Sequence, residues 1–489
     1  YYWKVCTWDK DSKTGTFSEV SCFETGLLDR KDWKAEWMGF PAGKNGRALL
    51  FRKSFLIEKT ILRARCYISS LGYYELRING GKVGDHVLDP GNTDYSKRTL
   101  YVTYDITPCL KKGGNVIGVI AGNGWAGSPR VICQAVIEFD DGSTESVLSG
   151  PHNYGWMVTD APIICNSIYD GEVYDANLEK TGWDTYEYEN IGSSLRENGW
   201  TMPMAVEGAG GIMVSQQLEP IKVVEEIAPV NISRPLNDVY VYDMGQNFSG
   251  WVRLKVEGPP GTKVTMRFAE VLCENGLVNQ ENLRTAAAVD TYILKGTGIE
   301  SYEPHFTYHG FRYIQVEGFP GTLCTDSITG CFVRSSLESA GRFQCSNELL
   351  NKIHRNILWT EASNLHSIPT DCPQRDERHG WLNDVTVRAE ESIYNFNMSR
   401  FFAKWMNDIH DAQDTETGAI TDTAPFRWGR RPADPVSSCY LIIPWLLYLH
   451  YGDTRVMERH YDGMAKWVDF LGNNSDDFIV NYSYYGDWA

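Results

Sequence analysis

"SNELLNKIHRNILW", residues 346 to 359, is where the chain changes its period. Ser346 stands where a helix cap belongs, and Leu349, Leu350, Ile353, Ile357 and Leu358 follow at helical spacing, so the segment predicts an amphipathic helix. What precedes it reads differently. Alternating segments such as "TLYVTYDIT" (99–107) and "WVRLKVEG" (251–258) are broken by the turn signals "INGG" and "PPGT", the pattern of half-buried strands. Beyond the switch, Phe401, Trp405 and Ile409 repeat the helical spacing. "PWLLYLHYG" predicts a third helix stopping at Gly452, and Met457, Met464, Trp467, Val468 and Leu471 predict a fourth. The expected class is multidomain β + α: two antiparallel β-sandwiches leading into an all-helical region with room for about five or six helices.

A length of 489 residues suits roughly three such units. Residues 1–44 read as the tail of a preceding β-module and linker, because "WKVCTWDKDSKTGTFSE" (3–19) forms one or two strands without partners of their own. Residues 45–205 hold enough short strands for one sandwich and 206–338 for a second, with "EGAGG" (207–211) as the linker between them. Residues 339–489 form the helical part. The chain opens "YYWKVCTWDK", without Met or signal peptide, and ends "YYGDWA", so both ends read as cut from something longer.

Lys and Arg total 46 against 63 Asp and Glu, and the net charge of -17 argues against nucleic acid or an anionic membrane as partner. A neutral ligand fits better. Aromatic residues make up 13% of the chain, and flat amphipathic rings suit stacking on sugar faces as well as filling β-rich cores. The 12 Cys are scattered without a CxxC pair or a zinc spacing, which favours reduced thiols and a cytoplasmic setting. No run of about 18 apolar residues predicts a membrane span.

One stretch after the first helix concentrates chemistry: "DCPQRDERHGWLND", residues 371–384. Pro373 and Gly380 resist a continuous helix and place its side chains on a loop and the start of the next helix. If Asp371, Asp376, Glu377 and Asp384 converge, their repulsion raises at least one of them toward the range of a general acid, while Arg375 and Arg378 hold others ionised. Trp381 supplies an apolar platform beside them. The alternative is a solvated cluster tied into surface ion pairs. Metal binding is less favoured, since the ladder and glycine of a calcium loop are missing. Cys372, among carboxylates, reads as structural. Two further loops pair acid with Trp: "TDTAPFRWGRRPADP" (421–435), with Asp422, Trp428 and Asp434, and "YGDWA" (485–489), with Asp487 and Trp488.

These residues resemble the bacterial α-L-rhamnosidases of glycoside hydrolase family 78, over nearly the whole chain. "WMGFPAG" (37–43), "YISSLGYYELRINGGKVGDHVLDPGNTDYSKRTLYVTYDIT" (67–107), "AGNGW" (121–125) and "YDANLEKTGWD" (174–184) look like that family's N-terminal sandwich. "YDMGQNFSGWVRLKVEGPPGTKVTMRFAEVL" (242–272) and "FTYHGFRYIQVEGFPG" (306–321) look like its next sandwich, and "DCPQRDERHGWLND" is similar to its catalytic signature. The resemblance implies that the helices form part of an (α/α)6 toroid and that the enzyme releases terminal α-L-rhamnose with inversion, without a cofactor. It implies that Glu377 is the general acid, that Asp371, Arg375 and Asp384 hydrogen-bond the sugar hydroxyls, and that Trp381 and Trp488 wall the pocket. Trp428 and His379 join the expected substrate contacts.

Three departures accompany the match. The family's general base is a Glu beside a Trp, and no Trp-Glu dipeptide occurs here, so the base is expected on sequence beyond residue 489. About half the toroid is present, which predicts a large uncovered apolar face. Val436 and Ser438 stand where the family carries a Trp and an Asp, and His379 stands where an apolar residue is common; its ring beside Glu377 is expected to tune that group or touch substrate. An alternative from another class is a non-catalytic carbohydrate-binding protein built of two sandwiches and a helical remnant. A polysaccharide lyase on a similar toroid is a third, needing a Tyr or His base, with His379 the only His in the motif. Trp125 in "GNGWAG" is either an exposed sugar-stacking residue or a core Trp at a strand end. Structural calcium in either sandwich and a homo-oligomer are left open.

Overall fold

Strand Ile61–Leu71 shows why the first β unit forms. Ala64, Cys66 and Ile68 are buried, while Arg63, Arg65 and Tyr67 between them face outward, the period of two that a half-buried strand requires. In the computed structural model, which describes residues 1–40, 46–150, 155–190 and 195–486, this strand lies antiparallel to Arg130–Phe139 and Arg98–Asp105 in a seven-stranded sheet. A five-stranded sheet centred on Leu49–Ile57 and Gly113–Gly122 faces it. Phe51, Ile68, Leu76, Val119, Phe139 and Trp156 fill the space between. The "INGG" signal is a two-residue hairpin turn, with φ +51° at Asn79 and +87° at Gly80, both in the left-handed region such turns need.

The edges of the two β units are exchanged along the sequence. Tyr2–Trp3 and Ser21–Cys22 pair with each other, so the first strands do have partners. Glu24 is then tied to the first sheet by both oxygens to Arg65, at 2.8 Å each. Met38–Gly39 joins the same sheet and pairs with Met204–Ala205. "EGAGG" connects Met204–Ala205 to Ile212–Ser215, which runs parallel beside Arg98–Asp105, so it links two strands of one sheet rather than separating two units. A Cβ on Gly211 would lie 2.5 Å from the Tyr95 carbonyl, which is why a glycine passes there. In the other direction, Ile163–Ser167 and Gly171–Asp175 join the second unit's sheet, the latter parallel to Val289–Ile293.

That second sheet has ten strands and is organised on the long strand Val239–Glu257. An irregularity between Asp243 and Phe248 lets the strand bend and pair with His309–Glu317 before it continues along Ile328–Ser335. Phe248, Phe268, Phe311 and Phe332 belong to a single buried cluster that runs on into the helices through Leu365, Leu382 and Trp405. Sheet and helices therefore share one core.

Five α-helices are present among the described residues: α1 (Glu348–Ala362), α2 (Leu382–Asn395), α3 (Ser399–Ala412), α4 (Cys439–Tyr451) and α5 (Arg455–Asn473). Asn347, not Ser346, caps α1; its extended backbone lets the side chain accept the Leu349 N–H at 3.0 Å. Phe401, Trp405 and Ile409 form the buried face of α3. α4 begins five residues before Pro444 and ends at Gly452, whose φ of +66° makes the left-handed cap. It packs against α2, α3 and α5. The outward stripe of α1 is uncovered, with Leu349, Leu350, Ile353 and Ile357 between 41 and 64% exposed, in line with the apolar face expected of a partial toroid. No helix among the described residues is long and apolar enough to cross a membrane.

Polar staples fix the first β unit to the helices. Arg98 grips Asp411 of α3 through two hydrogen bonds, at 2.8 and 3.0 Å. The buried Lys404 ammonium donates to the carbonyls of Asn92 and Ser367 and to Asp408. Between α1 and α2, Asn395 donates to both Glu361 and Glu391. Burial and the neighbouring Glu361 carboxylate push Glu391 from 4.5 up to about 7. The fold then holds this proton more tightly than the unfolded chain does. The resulting stability is present in full below pH 4.5 and is lost as pH rises toward about 7. Glu391→Gln is expected to flatten the pH dependence of the melting temperature across that window and to melt above the wild type at pH 8; parallel melting profiles sink this account.

Candidate active site

The loop between α1 and α2 is shaped by Arg378. Its guanidinium is fully buried and meets no carboxylate among the described residues, although the sequence suggested that it holds the acids ionised. It donates instead to four carbonyls: Arg375 and Gln374 of its own loop at 3.1 Å, Ile168 at 2.5 Å and Tyr308 at 2.6 Å. The faces of Tyr308 and Tyr169 lie 4.7 and 5.5 Å away. A φ of +58° at Arg378 turns the chain so that its neighbours point the other way. The loop is closed by a reciprocal clasp, Asp371 N–H to the His379 carbonyl at 3.0 Å and His379 N–H to the Asp371 carboxylate at 2.8 Å. Gly380 follows because a Cβ there would sit 2.5 Å from the Ala424 carbonyl.

What points the other way lines a cavity of about 860 Å³, within the range of small-molecule pockets. Glu377, Asp371, Arg375, Trp381, Asp384 and Trp428 all reach it, so six of the residues singled out in the sequence converge. His379 does not line it; the imidazole stacks behind Trp428, with ring centres 6.1 Å apart. Trp488 and Asp487 lie outside the described residues. Asp422 shapes its own loop by accepting the Arg430 and Asp434 N–H groups at 2.7 and 2.9 Å. Asp434 in turn draws the end of the chain into the wall through the N–H groups of Tyr484 and Tyr485, at 2.6 and 2.9 Å. That brings in Tyr482 and Tyr485, which sequence spacing did not suggest. Val436 lines the wall, whereas Ser438 precedes α4 and donates to the Pro435 carbonyl.

Arg284 also escaped the sequence reading. It comes from the second β unit, on a loop with φ +58°, and binds Asp376 at 2.6 Å and Glu377 at 2.7 Å. Glu377 is the focus of the site: its carboxylate also accepts the Trp381 indole N–H at 2.8 Å and lies 3.1 Å from Arg375. Burial pushes Asp371 and Asp384 above the ordinary carboxylate range, with the Glu377 charge adding to it. For Asp376 burial acts upward but is outweighed by the Thr285 hydroxyl and Arg284, which hold it low and occupied. Burial and Arg427 hold His379 down to about 4, so its ring is neutral near pH 7.

Asp371, Cys372 and Glu377 bring one ligand atom each within 4.8 Å of one another, a spacing a metal accepts. Their chemistry opposes it. Burial and Asp371 push the Cys372 thiol up to about 12, and Arg375 already supplies the positive charge to both acids. A smaller cleft of about 550 Å³ between the β units is lined by ions already matched, among them Arg77 with Glu75. Among the described residues, the larger cavity brings carboxylates, guanidiniums and indoles to open space.

Comparison with known proteins agrees with this architecture. Residues 59–225 match the alpha-L-rhamnosidase N-terminal domain, 234–334 the bacterial alpha-L-rhamnosidase concanavalin-like domain, and 338–489 the bacterial alpha-L-rhamnosidase 6 hairpin glycosidase domain. The chain is 38% identical to an alpha-L-rhamnosidase of Streptomyces avermitilis, over 93% of its own length and 45% of the relative's. The structure of alpha-L-rhamnosidase from Dictyoglomus thermophilum is 44% identical, with a TM-score of 0.95 over 100% of this chain and 56% of that one. The Streptomyces avermitilis alpha-L-rhamnosidase complexed with L-rhamnose is 34% identical, with a TM-score of 0.86 over 99% of this chain and 50% of that one. The chain thus spans about half the length of the relatives it matches.

The Arg378 bonds predict their own test. Arg378→Met takes one donor from each of four carbonyls, of which Ile168 keeps the Thr307 hydroxyl, a loss on the order of 3 kcal/mol. A large fall in the thermal unfolding midpoint is expected, and a midpoint within about 2 °C of wild type contradicts the role given to this residue.

Proposed function

The chain belongs to the bacterial α-L-rhamnosidase family, and from that premise we propose that its cavity holds a terminal α-L-rhamnose unit for hydrolysis with inversion. Glu377 gives its proton to the departing glycosidic oxygen as the C1–O bond breaks. A water attacks C1 from the opposite face, and a second carboxylate takes the water's proton. Inversion needs that base about 6.5–9.5 Å from the acid. Asp376 does not qualify, being adjacent and already held by Arg284 and Thr285. On this reading the base is supplied by sequence outside the 489 residues. Asp371, Arg375 and Asp384 bind the sugar hydroxyls, and Trp381 and Trp428 offer flat faces to the ring.

The observation that carries the reading is the setting of Glu377: 7% exposed, at the cavity wall, and aimed by the Trp381 N–H. The Arg284 side chain beside it is 44% exposed and comes from the second β unit, so an entering sugar can displace it from Glu377.

Two measurements on the full-length protein test this. Glu377→Gln is expected to cut hydrolysis of an alkyl α-L-rhamnoside by about 10²–10⁴-fold; an unchanged rate ends the acid assignment. Sugar binding without turnover in the wild type supports the non-catalytic alternative instead.

A further inference from the structure

Trp125 belongs to the first β unit, on the loop after strand Gly113–Gly122, and does not line the cavity. The loop is held rigidly. Asn123 donates to Asn166 twice, at 2.7 and 2.9 Å, and its own carbonyl accepts the Ala126 N–H at 3.0 Å. The half-buried indole then touches three groups that support the site. Its ring centre is 5.9 Å from that of His379, which in turn stacks on Trp428 at 6.1 Å. It meets Tyr169 edge to face at 5.8 Å, and the Tyr169 hydroxyl donates to the Glu377 carbonyl at 2.9 Å. The Arg427 guanidinium lies 5.1 Å over its ring and donates to Asn92 and Thr93, so the loop carrying Trp428 is tied to the same β unit.

We infer that Trp125 is a positioning residue: it sets the Trp428 platform through His379, and the Glu377 backbone through Tyr169, making the N-terminal β unit part of the active-site wall. The inference rests on the proposed hydrolysis of rhamnosides. Aromatic contacts of this kind constrain orientation more than they add stability, because their geometry is specific and the ring pair is already desolvated. The neutral His379 ring suits the role, since a charged one would repel Arg427. This also places the "GNGWAG" tryptophan on neither side of the earlier choice: it is not a free sugar platform, and its indole faces the catalytic loop.

The test is a double-mutant cycle in the full-length enzyme, with KM and kcat for an aryl α-L-rhamnoside. Trp125→Ala is expected to raise KM by about five- to tenfold, the scale of an aromatic pair, with a smaller change in kcat. Trp428→Ala is expected to raise KM at least as much. If Trp125 acts through Trp428, the double variant should be little worse than Trp428→Ala alone. Trp125→Phe keeps a ring and is expected to recover most of the loss; it carries the same cycle if the alanine variant does not fold. Fully multiplicative effects overturn the inference while leaving the reading of the site intact. So do wild-type kinetics in a folded Trp125→Ala enzyme, or a lowered melting temperature with KM unchanged. A folded wild type that neither binds nor cleaves rhamnosides overturns both.

Discussion

A buried guanidinium held by carbonyls is the constraint on which the site depends. Guanidiniums stay charged in proteins, so the hydrogens of the one on Arg378 must be met by protein groups, and four carbonyls from three parts of the chain meet them. Ile168 sits in the turn between strands Ile163–Ser167 and Gly171–Asp175, and Tyr308 just before strand His309–Glu317. Satisfying one cation therefore docks the loop 371–380 on the second sheet and dictates where Asp371, Glu377 and Trp381 face. The Asp371–His379 clasp and the tight passage at Gly380 only refine a position already set.

Charge arranges the rest in opposite senses on the two sides of the loop. On the buried side, positive charge meets dipoles and ring faces; on the cavity side, Arg284 and Arg375 converge on Glu377. The cavity side is the adaptable one, since Arg284 and Arg375 are both more than a third exposed and a ligand can replace their bonds. A rigid back and an exchangeable front suit the proposed function, in which the site holds its geometry while a ligand enters.

Much of this was legible from residue patterns. The switch of period near Ser346, the buried face of α3 and the stop at Gly452 follow from side-chain spacing, which depends only on local geometry. The loop 371–384 was legible as a site because carboxylates, arginines and a Trp cluster within it. The exchange of edge strands was not, because pairs such as Met38–Gly39 with Met204–Ala205 are two residues long and are decided by contacts more than 160 positions apart. Arg284 was hidden for the same reason, lying over 90 residues before its partners. Arg378 was misread because nothing local distinguishes an arginine that faces carbonyls from one that faces acids. A left-handed φ at a non-glycine residue reverses the direction of a side chain and leaves no mark in the sequence.

The exchanged strands also set an order of events for a chain that emerges from its N-terminus. The first unit's seven-stranded sheet lacks its last edge strand until residue 215 has emerged, whereas the hairpin of Ile163–Ser167 and Gly171–Asp175 must wait for Val289–Ile293, made more than a hundred residues later. During that interval the hairpin, committed to a later sheet, keeps the edge along Gly171–Asp175 open beside a nearly finished one. Such an edge attracts wrong partners, so the topology that backs the cavity leaves its most exposed strand midway through synthesis, before any of the helices α1 to α5 exists.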